Sequence, residues 1–155
     1  MEHLADQIHR LLIKKRKTVA VAESCSGGLL SNLLTNISGS SNYFLLGIVA
    51  YSNDAKNNIL NIPRNVISKK GAVSQEVAGL MASSVKELAG ADFGIGLTGI
   101  AGPTGGSKLK PVGTVFIALS SKNKNICKRF RLTGNRLAIR KKTALKALHL
   151  LKRYI

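Results

Sequence analysis

Tryptophan is absent, and the remaining aromatics are three Tyr and four Phe. So few ring faces offer little for stacking single-stranded bases. Cysteine is equally sparse: Cys25 and Cys127 lie about a hundred residues apart with no CxxC partner, so neither a disulfide framework nor a structural zinc site is indicated. The three histidines, His3, His9 and His149, fall on terminal helical stretches away from the glycine-rich turns, which argues against a serine or cysteine triad with histidine. Acidic residues number seven (Glu2, Asp6, Glu23, Asp54, Glu76, Glu87 and Asp92) and form no HExxH, DxD or facial-triad pattern. No metal and no cofactor is expected. No apolar run approaches the roughly 20 residues that span a bilayer, and the N-terminus lacks the basic, apolar, small order of a secretory signal. A cytoplasmic protein without a membrane partner is expected.

Against seven acids stand 24 Lys and Arg, a net charge of +17 and a pI near 10.4. From Lys122 onward there are twelve basic residues, and nothing acidic follows Asp92. Such an excess fits a nucleic-acid or acidic partner, since cations that neutralise phosphates release counterions. It also fits a solvated basic face, or a field that draws in a small anionic substrate. With 155 residues and 45% hydrophobic content the chain is sized for one domain, 1–155, burying about two-thirds of its surface.

Leu4, Ile8, Leu11 and Leu12 recur at helical spacing over residues 3–16. The β-branched run 18–22 reads as a strand that breaks at Glu23-Ser-Cys-Ser-Gly-Gly28 into a helix over 29–36. Residues 44–51 suit a buried strand, and 53–60 a capped helix stopped near Pro63. Ser74 caps a helix whose Val77, Leu80, Met81, Val85 and Leu88 form one face. Residues 92–97 form a strand. The loop 98–111, rich in glycine, is long for a connector and so reads as functional. Residues 112–121 and 126–132 alternate like a hairpin, and 135–154 close the chain as a helix with Leu137, Ala144, Leu145, Leu148 and Leu151 inward. The expected fold is α/β: a single three-layer α/β/α domain with a mixed β-sheet.

Without histidine or metal, chemistry here needs a nucleophile activated by lysine; the other option is binding alone. The turn 23–28 places Ser24, Cys25 and Ser26 at a strand end with backbone N–H groups facing outward, a position suited to an oxyanion. It reads equally as a serine N-cap followed by glycines for close packing. Lys56 follows the 44–51 strand closely enough to reach a sheet-edge cleft, although alone it fits a solvated helix lysine. Partial burial and neighbouring cations would lower its pKa. Gly94-Ile-Gly96-Leu-Thr-Gly99 fits GxGxxG but lies in a strand leading to a loop, and Gly102-Pro-Thr-Gly-Gly-Ser-Lys108 misses the phosphate-loop pattern. That glycine loop either cradles a phosphate through its amides or is a flexible turn.

Five strings occur in order: Ala22-Glu-Ser-Cys-Ser-Gly-Gly28, Tyr51-Ser-Asn-Asp-Ala-Lys56, Gly71-Ala-Val-Ser74, Thr98-Gly-Ile-Ala-Gly-Pro103 and Lys110-Pro-Val-Gly-Thr114. Together they resemble the CinA C-terminal domain family, the nicotinamide mononucleotide deamidases also called PncC, from about Leu4 to Leu151. Some members carry a further N-terminal domain; this chain reads as the stand-alone form. The resemblance implies metal-independent hydrolysis of the carboxamide of nicotinamide mononucleotide, giving nicotinic acid mononucleotide and ammonia, through a Ser/Lys dyad. By motif position Ser24 would be the nucleophile, Lys56 the base and Tyr51 a supporting hydroxyl. Substrate binding would fall to Ser26, Gly27 and Gly28 as oxyanion donors, and to Thr98, Gly99, Gly102, Gly105, Gly106, Arg136 and Arg140 around the phosphate; both arginines also fit a solvated basic face. Ser26 stands where the family usually has threonine, Gln75 for glutamate and Asn135 for aspartate, and 107–110 lack the usual acid, which accounts for part of the basic balance. The partner implied is a small-molecule nucleotide, with a non-enzymatic, nucleic-acid-binding protein as the alternative. Phe44, Leu45 and Leu46 would serve an interface as well as a core, and a homo-oligomer is expected.

Overall fold

The computed structural model describes residues 1–155, apart from the side chain of Glu2. In chain order the elements are α1 (Glu2–Lys15), β1 (Val19–Glu23), α2 (Leu29–Thr35), a 3-10 turn (Ser40–Asn42), β2 (Phe44–Val49), α3 (Asn53–Leu60), α4 (Arg64–Lys70), α5 (Gln75–Ala89), β3 (Phe93–Gly99), β4 (Thr114–Ser120), β5 (Asn125–Arg131) and α6 (Arg136–Tyr154). The strands form one mixed sheet in the order β2-β1-β3-β4-β5, with β2, β1 and β3 parallel and the β4–β5 hairpin antiparallel. Helices cover both faces. One apolar cluster joins α1, α2 and α6 to Val21, Ile95, Leu97 and Ile117, and a second joins α3, α4 and α5 to Ala20 and Ala22. The three-layer α/β arrangement is as the sequence implies.

Local chemistry sets the helix starts. Ser52, Ser74 and Asn135 each accept the amide three residues on (Ala55, Val77 and Ala138) at 3.0, 3.3 and 2.9 Å. Each satisfies one of the donors a helix N-terminus leaves free. The glycines at 94 and 96 explain the GxGxxG match. A Cβ at Gly94 would strike the Ala82 carbonyl oxygen and one at Gly96 the Ala78 carbonyl oxygen, so they let α5 lie directly on β3.

Four expectations change. The face α5 turns inward is built on Val77, Ala78, Met81, Ala82 and Val85, while Leu88 is 53% exposed, because small alanines permit the close helix–sheet approach. In α6 the inward residues include Ile139, Thr143 and Ala147, and Leu137 is 50% exposed because it lies on the first turn, before the helix settles on the sheet. Helix α4, bounded by Pro63 and Gly71, was not expected. Strand β2 is not enclosed: it ends the sheet, and Leu45, Gly47 and Val49 face outward.

Candidate active site

The order β2-β1-β3 places sequence-distant strands on either side of β1, and the crevice beyond the carboxyl ends of such strands is where α/β sheets bind ligands. Here β1 ends at Glu23, so Ser24 is the first residue past it. Its amide bonds the Leu97 carbonyl at 3.0 Å. β2 delivers Tyr51 and, through the Ser52 cap, α3 with Lys56; β3 delivers Thr98 and Gly99. A cavity of about 270 Å³ lies among them, lined by Ser24, Cys25, Tyr51, Lys56, Thr98, Gly99, Gly102, Gly105 and Arg136. This is at the small end of ligand pockets, which run to roughly 300–1,000 Å³. A larger groove of about 630 Å³ between α5 and the β4–β5 hairpin, on the side of Gly79, Leu80 and Cys127, contains no paired nucleophile and base.

Lys56 is 1% exposed and Ser24 8%. Lys56 Nζ lies 3.1 Å from Ser24 Oγ, 2.9 Å from the Ala50 carbonyl oxygen and 3.2 Å from that of Tyr51. Three acceptors satisfy an ammonium. A neutral amine is satisfied equally: its two N–H groups donate to the carbonyls, and its lone pair is left to accept the Ser24 hydroxyl proton. Burial pushes the Lys56 pKa below the usual lysine value, which shifts the balance towards the neutral amine, against an opposing pull from Cys25. The neighbouring Cys25 thiol moves the other way, up to about 11, chiefly through burial and with a further rise from Glu23. A thiol raised this far stays protonated at neutral pH, and the side-chain oxygen that faces Lys56 is that of Ser24.

Glu23 is the residue the sequence reading left unassigned. It is fully buried with no cation within ion-pair distance among the described residues. Its Oε2 accepts Ser26 Oγ at 2.6 Å and the amides of Gly28 and Leu30, both at 3.1 Å; its Oε1 accepts the Ser31 amide and hydroxyl, both at 2.7 Å. The carboxylate thus occupies the anion position at the start of α2 and holds the turn carrying Ser24. A legible signal existed: Ser26, Gly28 and Ser31 follow Glu23 at the start of a helix with no acid in its first turn.

Glu23 also corrects the expected oxyanion donors. The Gly28 amide is taken by Glu23, the Gly27 amide by the Ser24 carbonyl at 3.0 Å, and the Ser26 hydroxyl by Glu23, so these three residues do not line the cavity. The amides of Cys25 and Ser26 have no main-chain acceptor among the described residues, nor do those of Ala101, Gly102, Thr104 and Gly105. Two further placements are corrected. Arg140 points away from the cavity, donating to the Ser26 carbonyl through Nε at 3.2 Å and Nη2 at 3.0 Å because its position on α6 lies over the 26–27 turn. Gly106 is likewise outside the lining, packed against the Val112 amide. Arg136 does reach the cavity, donating to the Gly102 carbonyl at 2.8 Å and to the Tyr51 hydroxyl at 2.7 Å. Tyr51 therefore meets Lys56 through its carbonyl, while its hydroxyl braces Arg136. Thr98 donates to the Ala72 carbonyl at 2.7 Å and pins the segment beside the cavity. No group of three or more potential metal ligands occurs among the described residues.

A family model for the CinA C-terminal domain matches residues 1–155. A putative competence-damage inducible protein of Thermoanaerobacter pseudethanolicus is 46% identical over 154 residues, covering 99% of this chain and 37% of the relative. A CinA-like protein of Thermotoga maritima is 46% identical, covering 99% and 38%. The chain thus spans a little over a third of the length of the curated relatives it matches. Among solved structures, competence/damage inducible protein CihA from Agrobacterium tumefaciens superposes with a TM-score of 0.95 at 38% identity, covering 98% of this chain and 93% of that one. The CinA superfamily protein of Escherichia coli gives 0.95 at 30%, covering 99% and 90%. On sequence and on fold together, the chain belongs to the CinA C-terminal domain family.

Proposed function

We propose that this protein is a metal-independent amidohydrolase that converts the carboxamide of nicotinamide mononucleotide to the carboxylate of nicotinic acid mononucleotide, releasing ammonia. The observation that carries the reading is the 3.1 Å approach of a buried Lys56 amine to Ser24 Oγ on a cavity wall. Ser24 Oγ attacks the carboxamide carbon as its proton passes to Lys56, and the oxyanion forms beside the Cys25 amide, which has no main-chain acceptor. The Lys56 ammonium then returns the proton to the departing nitrogen, the C–N bond breaks, and ammonia leaves an acyl-Ser24 ester. Water, deprotonated by Lys56, attacks that ester; Ser24 regains its proton and the acid is released. The pyridinium withdraws electrons from the carboxamide and lowers the activation required.

The substrate phosphate is placed against the open amides of the 101–105 loop and the Arg136 guanidinium, a charge-assisted pairing. Arg136 enters from the C-terminal half, so the basic balance serves the small anion directly. Purified protein given nicotinamide mononucleotide is expected to release one ammonia per acid formed. Ser24→Ala and Lys56→Ala are each expected to abolish release, and undiminished turnover in either would remove that residue from the mechanism. The alternative, a nucleic-acid-binding role, draws on the twelve cations of 122–155, none within ion-pair distance of a carboxylate among the described residues. It requires binding that weakens steeply with salt.

A further inference from the structure

The guanidinium of Arg140, on α6, donates through two nitrogens to a single acceptor, the Ser26 carbonyl oxygen, with Nε at 3.2 Å and Nη2 at 3.0 Å. No carboxylate lies within ion-pair distance of it among the described residues. A full positive charge is thus aimed at one main-chain oxygen of the turn that carries Ser24. The turn is shaped to receive it. A Cβ at position 27 would lie 2.8 Å from Nη2, and φ there is +61°, so Gly27 both makes the turn and leaves room for the guanidinium.

Two peptide groups lie in series behind that oxygen. The Ser26 carbonyl shares its peptide plane with the Gly27 amide, which donates to the Ser24 carbonyl at 3.0 Å. The Ser24 carbonyl in turn shares a plane with the Cys25 amide, which has no main-chain acceptor and belongs to a residue lining the cavity. A cation drawing on a carbonyl oxygen makes the N–H of the same peptide more positive, and hydrogen-bonded peptides in series polarise one another in the same sense. The order runs from guanidinium to 26–27 peptide to 24–25 peptide to cavity.

We infer that Arg140 is a positioning residue for the oxyanion: from outside the cavity, through the 26–27 and 24–25 peptides, it holds and polarises the Cys25 amide toward the charge that develops in the transition state. This role presupposes the Ser24/Lys56 amidohydrolase chemistry and adds a residue to it. Glu23 grips the same turn through the Ser26 hydroxyl at 2.6 Å, and its negative charge opposes an oxyanion nearby. Both fields reach Cys25, whose thiol pKa is raised chiefly by burial and further by Glu23, while Lys56 and Arg140 pull it down. Arg140 therefore supplies the positive end that a turn anchored by an anion needs. The ground-state carboxamide oxygen carries little charge, so a donor strengthened in this way acts on the transition state and is read in kcat, not KM.

Ammonia release from nicotinamide mononucleotide by Arg140→Lys and Arg140→Gln tests this, since lysine keeps the charge and glutamine keeps only a neutral donor. In Arg140→Gln kcat is expected to fall about tenfold, less than the roughly 10²–10³ that follows outright loss of an oxyanion donor. In Arg140→Lys it is expected to fall about two- to threefold, because a point charge replaces the fork, with KM within about twofold in both variants. By NMR of isotope-labelled protein, the Ser26 and Ser24 carbonyl carbons and the Cys25 amide nitrogen are expected to shift together in Arg140→Gln and to return most of the way in Arg140→Lys. Should Arg140→Gln fail to fold, Arg140→Lys decides: displaced Ser24 and Cys25 resonances with kcat lowered at constant KM support the role, and undisplaced resonances overturn it. Wild-type kcat in Arg140→Gln, equal kcat in the two variants, or a Cys25 amide that neither moves overturns the proposal and leaves the Ser24/Lys56 chemistry standing. A wild-type protein that releases no ammonia removes that chemistry, and this role with it.

Discussion

Residues 18–53 and residues 122–155 are of similar length and opposite character. The first segment has one charge, the buried Glu23; the second has twelve cations and no acid. The cavity lies where they meet, with Ser24 and the Tyr51 carbonyl from the neutral segment and Arg136 from the cationic one. Burial lowers the pKa of the lysine proposed as base, while the arginine proposed for the phosphate stands on a helix rich in its own kind. One pocket thereby joins a strong positive field to an amine whose pKa burial lowers.

The largest expected effects fall on the neutral segment and the lysine three residues beyond it. Ser24→Ala and Lys56→Ala should each lower kcat about 10⁴-fold or more, read by ammonia release, since members of such a unit fail together. Next is Glu23→Gln. Five donors converge on two carboxylate oxygens, and an amide would put its NH₂ against some of them. A loss of about 2–4 kcal/mol in denaturant unfolding is expected, with kcat falling as the Ser24 turn loosens. If Glu23→Gln unfolds at the wild-type midpoint, the carboxylate does not hold the turn.

Arg136, in the cationic half, should respond in KM instead. Arg136→Ala is expected to raise KM about 10- to 100-fold, the value of a charged hydrogen-bonding partner at about 1.5–3 kcal/mol. Arg140→Ala, whose guanidinium serves the Ser26 carbonyl, should leave KM within about twofold. Equal effects from the two arginines would mean that the phosphate is drawn by general charge alone. Salt gives the smallest effect. At 0.1 M the Debye length is about 10 Å, so added salt should weaken substrate capture, and a titration of KM against salt should show KM rising while kcat holds.

Ser24 and Lys56 were legible because their motifs are local: a strand end feeding a small-residue turn, and a capped helix soon after a strand. What lies beyond was hidden for specific reasons. Glu23 was left without a role, because its five donors are set by how the 23–31 turn folds back on it. Arg140 and Arg136 stand four residues apart on one helix, yet only one faces the cavity, and no spacing rule reveals which. The run at 44–49 has the apolar density of an enclosed strand, and its place at the edge follows from the sheet order. α4 contains only Val66 and Ile67 as apolar periodicity, and its boundaries at Pro63 and Gly71 were the clearer sign.

The most direct measurement is the titration of the Lys56 side-chain amine by NMR in protein carrying isotope-labelled lysine. With its folded-state pKa pushed down by burial, the neutral form gains population as pH rises, and kcat/KM should climb along the same curve. The account predicts that Lys56 loses its proton below 10.5, with the activity limb tracking it. A Lys56 that titrates at or above 10.5, or an activity limb that does not follow it, would contradict a neutral amine as the base for Ser24.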